Sequence, residues 1–213
     1  MINRPLRSRR LFSRLIFAGL LVVLNGCANP PPPAPPLSKY DPAGFESIRV
    51  DARKLEIIEN WQMPMEPPFI EHTLMPDLSS MVVDWAKYAL VPVGGSGEVV
   101  LDISQASVQV TDLPQGTSLV DVFSDQQESK IHVDIVTKLM WIQPVGGKQG
   151  IVDVIASTTR TLSESKTPNE RQIAVREVMI EAVNLLDIEA RKQITNIAES
   201  FDHDLINGPK TWA

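Results

Sequence analysis

Three histidines, one cysteine and a bunched set of methionines are the residues of this chain with the most to offer chemically. His72, His132 and His203 fall in a loop, in a strand-like run and near the end of a helix-like run. No two of them share the i, i+4 spacing by which a helical pair holds zinc. Glu71-His72 is at most half of a metal site. Gly94-Gly95-Ser96-Gly97 has the look of a phosphate loop, but no Lys and Ser/Thr follow it and a strand pattern comes next, so a turn is expected. No Gly-x-Ser-x-Gly elbow is present. The acidic residues are many, but carboxylate pairs act through geometry that spacing does not reveal. Met63, Met65, Met75 and Met81 lie in and beside a proline-rich loop. Thioethers suit copper(I), yet no cysteine or paired histidine accompanies them. Flexible methionines also fill cores and make adaptable binding surfaces. Trp61 and Phe69 flank the same loop. The pattern suits anchoring in the core or, where the side chains are exposed, a hydrophobic contact surface. Trp61, Met63, Met65, Phe69 and Met75 are the candidate partner contacts, with Phe201 at the far end of the last helix; core anchoring is the alternative for the two aromatics. No catalytic residue, metal ligand or cofactor is assigned, and a non-enzymatic protein is expected.

Cys27 remains, the only cysteine in the chain. Arg4, Arg7, Arg9, Arg10 and Arg14 make a basic start, and Leu15 to Leu24 is an unbroken apolar run. About ten residues make about 15 Å of helix, half of a roughly 30 Å bilayer core, so the run is too short to span comfortably. This is the layout of an export signal. Leu24-Asn25-Gly26-Cys27 resembles the bacterial lipobox. The resemblance implies a signal peptide over 1–26, cleavage before Cys27, a diacylglycerol on its thiol and an acylated new N-terminus. Two or three acyl chains anchor firmly where one does not, at about 0.8 kcal/mol per buried methylene. Lipidation also explains a lone thiol in an exported protein. Ala28 and Asn29 follow the cysteine. No aspartate stands there to retain the protein at the inner membrane, so the periplasmic face of the outer membrane is expected, with the inner membrane as the alternative. Ser8-Arg9-Arg10-Leu11-Phe12 resembles a twin-arginine signal, and both that route and the general secretory route stay open.

The chain has 20 Lys+Arg and 26 Asp+Glu. Five of the arginines lie in the first 26 residues, which hold no acid, so the remainder carries 15 basic against 26 acidic residues, a net charge of −11. That balance argues against nucleic acid and against adhesion to anionic lipid through charge. One cysteine permits no internal disulfide, so the core must hold by burial. About 175 residues beyond the tether suffice for one domain with a sizeable core.

The elements follow from periodicity. Pro30 to Pro36, broken only by Ala34, reads as an extended polyproline stalk, and 27–44 as a lipidated tether. Ser47 to Ile58 is strand-like with Ala52 as a weak link. Pro76-Asp77 opens a helix whose stripe is Leu78, Met81, Val82, Trp85 and Ala89, with Pro92 and Gly94-Gly95 ending it. Val99, Leu101 and Ile103 alternate, and the phase then shifts to Ala106, Val108 and Val110, which predicts a bulge near Gln105. Ile131 through Trp141 alternates over a long strand, Pro144 and Gly146-Gly147 mark a turn, and Val152, Val154, Ala156 and Thr158 form the antiparallel return. Thr167-Pro168-Asn169-Glu170 is a capping-box start. Val175, Met179, Ala182, Leu186, Ala190, Ile194, Ile197 and Phe201 then recur about every 3.7 residues. This predicts one long helix, with a break near Leu186-Asp187 as the alternative.

The expected fold is α+β: a two-layer sandwich of a four-stranded, mainly antiparallel sheet covered by two helices, in the order β-α-β-β-β-α. The domain is expected over 45–205, followed by a tail at 206–213. A lipobox followed by this element order resembles small Gram-negative envelope lipoproteins. These include the lipopolysaccharide-assembly lipoproteins of the LptE type and the auxiliary lipoproteins of lipid-transporting ABC systems of the PqiC type. The resemblance implies a non-enzymatic accessory or assembly subunit of a cell-envelope membrane-protein complex, in lipid or lipopolysaccharide transport. It carries over no site residue except the lipid-bearing Cys27. The alternative is a periplasmic lipid-binding or carrier module, which requires an apolar cavity between sheet and helices; an enzyme would require a polar cleft with convergent titratable groups.

Overall fold

An apolar stripe that recurs once per helical turn must face something apolar, and in this chain it faces a sheet. The computed structural model describes residues 39–113, 127–163 and 165–200, with the side chains of 127–128 and 197–200 left aside. In chain order the elements are β1 (Ile48–Val50), β2 (Lys54–Glu59), α1 (Leu78–Ala89), β3 (Leu90–Pro92), β4 (Glu98–Asp112), β5 (Gln127–Gln143), β6 (Lys148–Ser163) and α2 (Pro168–Ser200). Single 3-10 turns lie at Pro42–Gly44 and Glu71–Thr73.

The main sheet has the strand order β2-β4-β5-β6. β4, β5 and β6 form an antiparallel meander, and β2 pairs parallel with β4, with α1 in the connection between them. Alternation decides which face is covered. Val99, Leu101, Ile103, Ile131, Val133, Ile135, Leu139, Trp141, Val154 and Ala156 are all buried. The expected phase shift is real. The β4–β5 register slips between Ile103 and Gln105, and Ala106 and Val108 resume on the buried side. The β5–β6 hairpin turns where Gly146 and Gly147 adopt φ of 93° and 65°, values that L side chains rarely take.

α2 is one helix of 33 residues, about 50 Å at 1.5 Å per residue. Val175, Met179, Ala182, Leu186, Ala190 and Ile194 are buried as the stripe requires. Its start is the expected capping box. The Glu170 N–H donates to Thr167 Oγ1 (3.3 Å), while Thr167 donates to Glu170 Oε2 from its N–H (2.8 Å) and its hydroxyl (2.7 Å). No break occurs at Leu186-Asp187. Asp187 Oδ1 accepts from the buried Trp85 Nε1 (2.9 Å) and Oδ2 from Arg191 Nε (2.7 Å), and Arg191 also donates to the Glu46 carbonyl. The polar interruption of the stripe joins α2 to α1.

Two expectations are corrected. The run from Ser47 to Ile58 is two strands. The chain turns at Asp51–Arg53, so β1 pairs parallel with β3 in a separate two-stranded sheet while β2 joins the main one. Pro92 and the glycines do not end the first helix. α1 stops at Ala89 and the backbone enters β3 directly, because its polar groups are taken by Val50 and Ala52: Val93 N–H donates to the Val50 carbonyl and Gly94 N–H to the Ala52 carbonyl (both 3.0 Å). The Gly94–Gly97 segment is the expected turn, and it closes on Asp51. A Cβ at Gly95, where φ is +92°, would stand 2.2 Å from Asp51 Oδ1.

Candidate functional site

Strand and helix lengths leave a gap under the sheet. α1 has 12 residues and reaches about 18 Å. β5 has 17 residues and reaches about 56 Å. α1 therefore covers one part of the sheet face, and α2 runs the length alone. Beyond the start of α1 the space is bridged by the loop through Ile70, Leu74 and Met75 and by Tyr40. What remains is a cavity of about 1100 Å³, at or above the upper end of the roughly 300–1,000 Å³ of small-molecule sites.

The floor of the cavity is the end of the sheet, where Val110, Ser129 and Leu162 face the helices from three adjacent strands. One wall is α2, through Ile173, Val175 and Met179; the loop and Met81 of α1 supply the other. Tyr40 braces that wall, its hydroxyl donating to the Met81 carbonyl at 2.6 Å. Burial, and then the Asp84 carboxylate, hold its phenol well above the usual tyrosine range, so it remains a neutral donor. Arg176 reaches from the helix to donate to the Met75 carbonyl (3.0 Å), and Arg171 Nε donates to the Lys166 carbonyl (3.2 Å). Ser129 is 1% exposed, and its Oγ has no hydrogen-bond partner among the described residues. This is an apolar chamber with a few polar points and a basic margin, the form of a site for an amphiphile.

The residues singled out in the sequence meet this geometry unevenly. Met75 lines the cavity and is 85% exposed, and Met65 is 73% exposed, as a contact surface requires. Met63 is half-buried. Trp61 packs against the core, its backbone N–H donating to the Ile103 carbonyl (3.0 Å). It is an anchor of the loop more than a free surface. Phe69 is half-buried and bridges Gln109, so the loop lies along β4 where β2 has ended. Cys27, Phe201 and His203 lie outside the described residues. His72 is exposed, and His132 is held between Thr159 and Asp134 (2.8 Å each). Among the described residues no three His, Cys, Asp or Glu side chains converge on a metal position, and no helix is long and apolar enough to cross a membrane.

Sequence reasoning missed most of the cavity, namely Tyr40, Val110, Ser129, Leu162, Ile173 and the two arginines. Its one signal was that Ser129 and Leu162 belong to the helix-facing parity of their strands. Reasoning from spacing also missed the burial of Glu71. Its side chain is fully enclosed, with Oε2 accepting from the Val108 N–H (3.3 Å) and Oε1 unpartnered among the described residues. Burial pushes the carboxyl up, against the opposing pull of backbone N–H groups.

No protein-family model and no curated protein sequence matches the chain. Among solved structures it is similar to the rare lipoprotein B of Shewanella oneidensis, at 10% identity and a TM-score of 0.35, over 67% of this chain and 97% of that one. It is also similar to a Xanthomonas campestris protein of the DUF330 family, at 11% identity and a TM-score of 0.31, over 75% of this chain and 91% of that one. Likenesses this distant assign neither a family nor a function.

Proposed function

We propose that the protein is a lipid-anchored, non-enzymatic accessory module of the bacterial cell envelope whose domain binds the acyl part of a lipid. The observation that carries this reading is the cavity of about 1100 Å³ between sheet and helices, the feature that a lipid-binding module requires and a merely bracing subunit does not. Each methylene moved into such a chamber contributes about 0.8 kcal/mol. The anchor rests on the lipobox at Cys27. Lys39 and Tyr40, on the cavity wall, follow Cys27 by 12 and 13 residues. Twelve residues span at most about 40 Å, so on this reading the cavity works within reach of a bilayer, at the periplasmic face of the outer or the inner membrane.

The test is mass spectrometry of lipid that stays with the full-length protein purified from membranes, for the wild type and for Val175→Trp, whose indole would obstruct the chamber at its α2 wall. The wild type should carry phospholipid or fatty acid near one equivalent, and the variant should lose it while still unfolding cooperatively, near the melting temperature of the lipid-stripped wild type. A wild type that carries none, and takes up none from lipid vesicles, overturns the proposal.

A second reading is favoured by a separate observation, the exposure of Met65 and Met75 at 73% and 85%. The loop they mark would dock on a membrane-protein complex. Crosslinking from membranes should then yield one stoichiometric partner, lost when both methionines are replaced by serine.

A further inference from the structure

The two edges of the main sheet are unlike. β2 closes one edge with six residues, and Lys54, Glu56 and Glu59 put charge along it. That is the short, charged form in which an edge resists pairing. β6 makes the other edge with 16 residues. It holds no proline, no lysine beyond Lys148 at its start, and no register slip against β5 from Lys148 to Leu162. Among the described residues no strand pairs with its outer side. Apolar side chains flank this edge in both layers. Val154 and Ala156 are buried beneath α2, so by alternation Ile151 and Ile155 take the helix-free face, where they are 61% and 56% exposed. α2 runs along β6 in the opposite sense. Arg160 donates to Glu177 (2.8 Å) and Glu181 (3.0 Å), and Thr158 donates to Glu181 (3.2 Å). Leu185 and Ile188 follow Glu181 by four and seven residues, share its side of the helix, and are 37% and 62% exposed. Seven residues of helix rise about 10 Å, as do three residues of strand, so Ile188 stands level with Ile155.

We infer that this flank is the contact surface of a two-fold dimer of the chain, in which β6 pairs antiparallel with β6 of a second copy about Ile155 and α2 packs on its copy through Leu185 and Ile188. A lone added strand would leave the apolar side of α2 open. The partner must bring a strand and a helix at the same heights, and the chain's own edge is built that way. α2 lies over β5 and β6. With strands about 4.8 Å apart it stands about 5 Å from such an axis, so the two helices come about 10 Å apart, the usual packing distance. Pairing about Ile155 uses nearly the whole strand, since Lys148 meets Leu162 of the copy. It sets Asp153 opposite Ser157 and Arg160 opposite Gly150, so no like charges face each other. Pairing about Asp153 would set that carboxylate against itself. The flank of a two-layer sandwich about 50 Å long and about 20 Å deep offers about 1,000 Å². A standard stable interface needs about 800 Å² from each partner. The inference is independent of what the cavity holds.

The experiment is sedimentation equilibrium of the full-length protein in a large excess of detergent micelles, joined to cysteine crosslinking in membranes. The wild type should reach the dimer mass as concentration rises. Ile155→Lys enters the contact twice and sets two cations opposite each other, so it should raise the dissociation constant about a hundredfold or more. Ile188→Lys should weaken the dimer from the helix layer. In membranes Ile155→Cys should give a disulfide-linked dimer on mild oxidation, because facing residues of antiparallel strands have Cα atoms about 4.5–5.5 Å apart, within disulfide reach. Ile151→Cys and Thr159→Cys should link to each other when co-expressed and neither to itself, with the wild type and its Cys27 as the blank. The cysteine links decide the matter should a lysine variant fail to fold. A monomer at every concentration overturns the inference, whether the edge stays open or another segment of the same chain holds it. A dimer that neither lysine variant weakens and that Ile155→Cys does not link has its contact elsewhere, and overturns it equally.

Discussion

At the scale of the residue, the informative side chains are polar ones wholly or partly buried, with assigned work. Asp187 interrupts an apolar stripe, and from spacing alone that looks like a break. In the structure it accepts the Trp85 indole N–H across the two helices and is itself braced by Arg191. Asp187→Ala should leave that indole donor unsatisfied in the core, at a cost of roughly 1–3 kcal/mol. In a double-mutant cycle the loss should shrink when Trp85 is first changed to Phe, which has no donor. Equal losses in both backgrounds, by urea denaturation, would show that the bond contributes nothing. Glu71 is the opposite case, a buried carboxyl with one oxygen unpartnered among the described residues. Its folded pKa is raised above the ordinary 4.5, so below that value both states are protonated and nothing is lost. As pH rises, the unfolded chain ionises first and stability falls until the folded carboxyl also ionises. Glu71→Gln should match the wild type near pH 4 and exceed it increasingly toward neutral pH. A difference that does not vary with pH would remove burial of the charge as the cause.

At the scale of the element, what was legible follows from periodicity and what was not follows from length. The bulge at Ile103/Gln105, the β5–β6 turn and the start of α2 were all written in adjacent residues. The division of the first strand-like run was written only as a weak link at Ala52, because its cause is distant: β3 claims one piece and β4 the other. The cavity left no local trace beyond the strand parity of Ser129 and Leu162, since it arises from a 12-residue helix beneath strands of 15 to 17 residues. The capping box at the head of α2 bears on it directly, because the same first turns carry Arg171 and Ile173. Thr167→Ala should cost about 1 kcal/mol and fray those turns first, seen as faster amide exchange at 169–173 with the rest of α2 unaffected. Hydrogen bonds from Thr167 also hold the Glu170 carboxyl below its usual range. That part of the cap is therefore present at neutral pH and lost as acid protonates Glu170, so the gap between variant and wild type should narrow at low pH without closing, because Thr167 Oγ1 still accepts from the Glu170 N–H.

At the scale of the whole molecule, an acidic chain holds an apolar chamber between sheet and helices. The net −11 of the part from Cys27 on opposes general adhesion to anionic bilayers, so on the proposed reading a lipid is taken one molecule at a time, through a chamber that buries its acyl carbon. A ligand that binds the native fold alone must stabilise it, by RT ln(1 + [L]/Kd), about 2.7 kcal/mol at a hundredfold excess over Kd. For a domain of this size 1 kcal/mol moves Tm by about 2–4 °C. The lipid-stripped protein should therefore melt roughly 5–10 °C higher with saturating oleate. The neutral alcohol of the same chain should shift it too, since buried methylenes carry the binding, and Val175→Trp should abolish both shifts. Calorimetry separates the contributions. A shift that is equal for acid and alcohol but absent in Val175→Trp assigns the stabilisation to buried methylenes alone. An equal shift in Val175→Trp would mean that the amphiphile binds elsewhere on the domain and that the chamber is not its site.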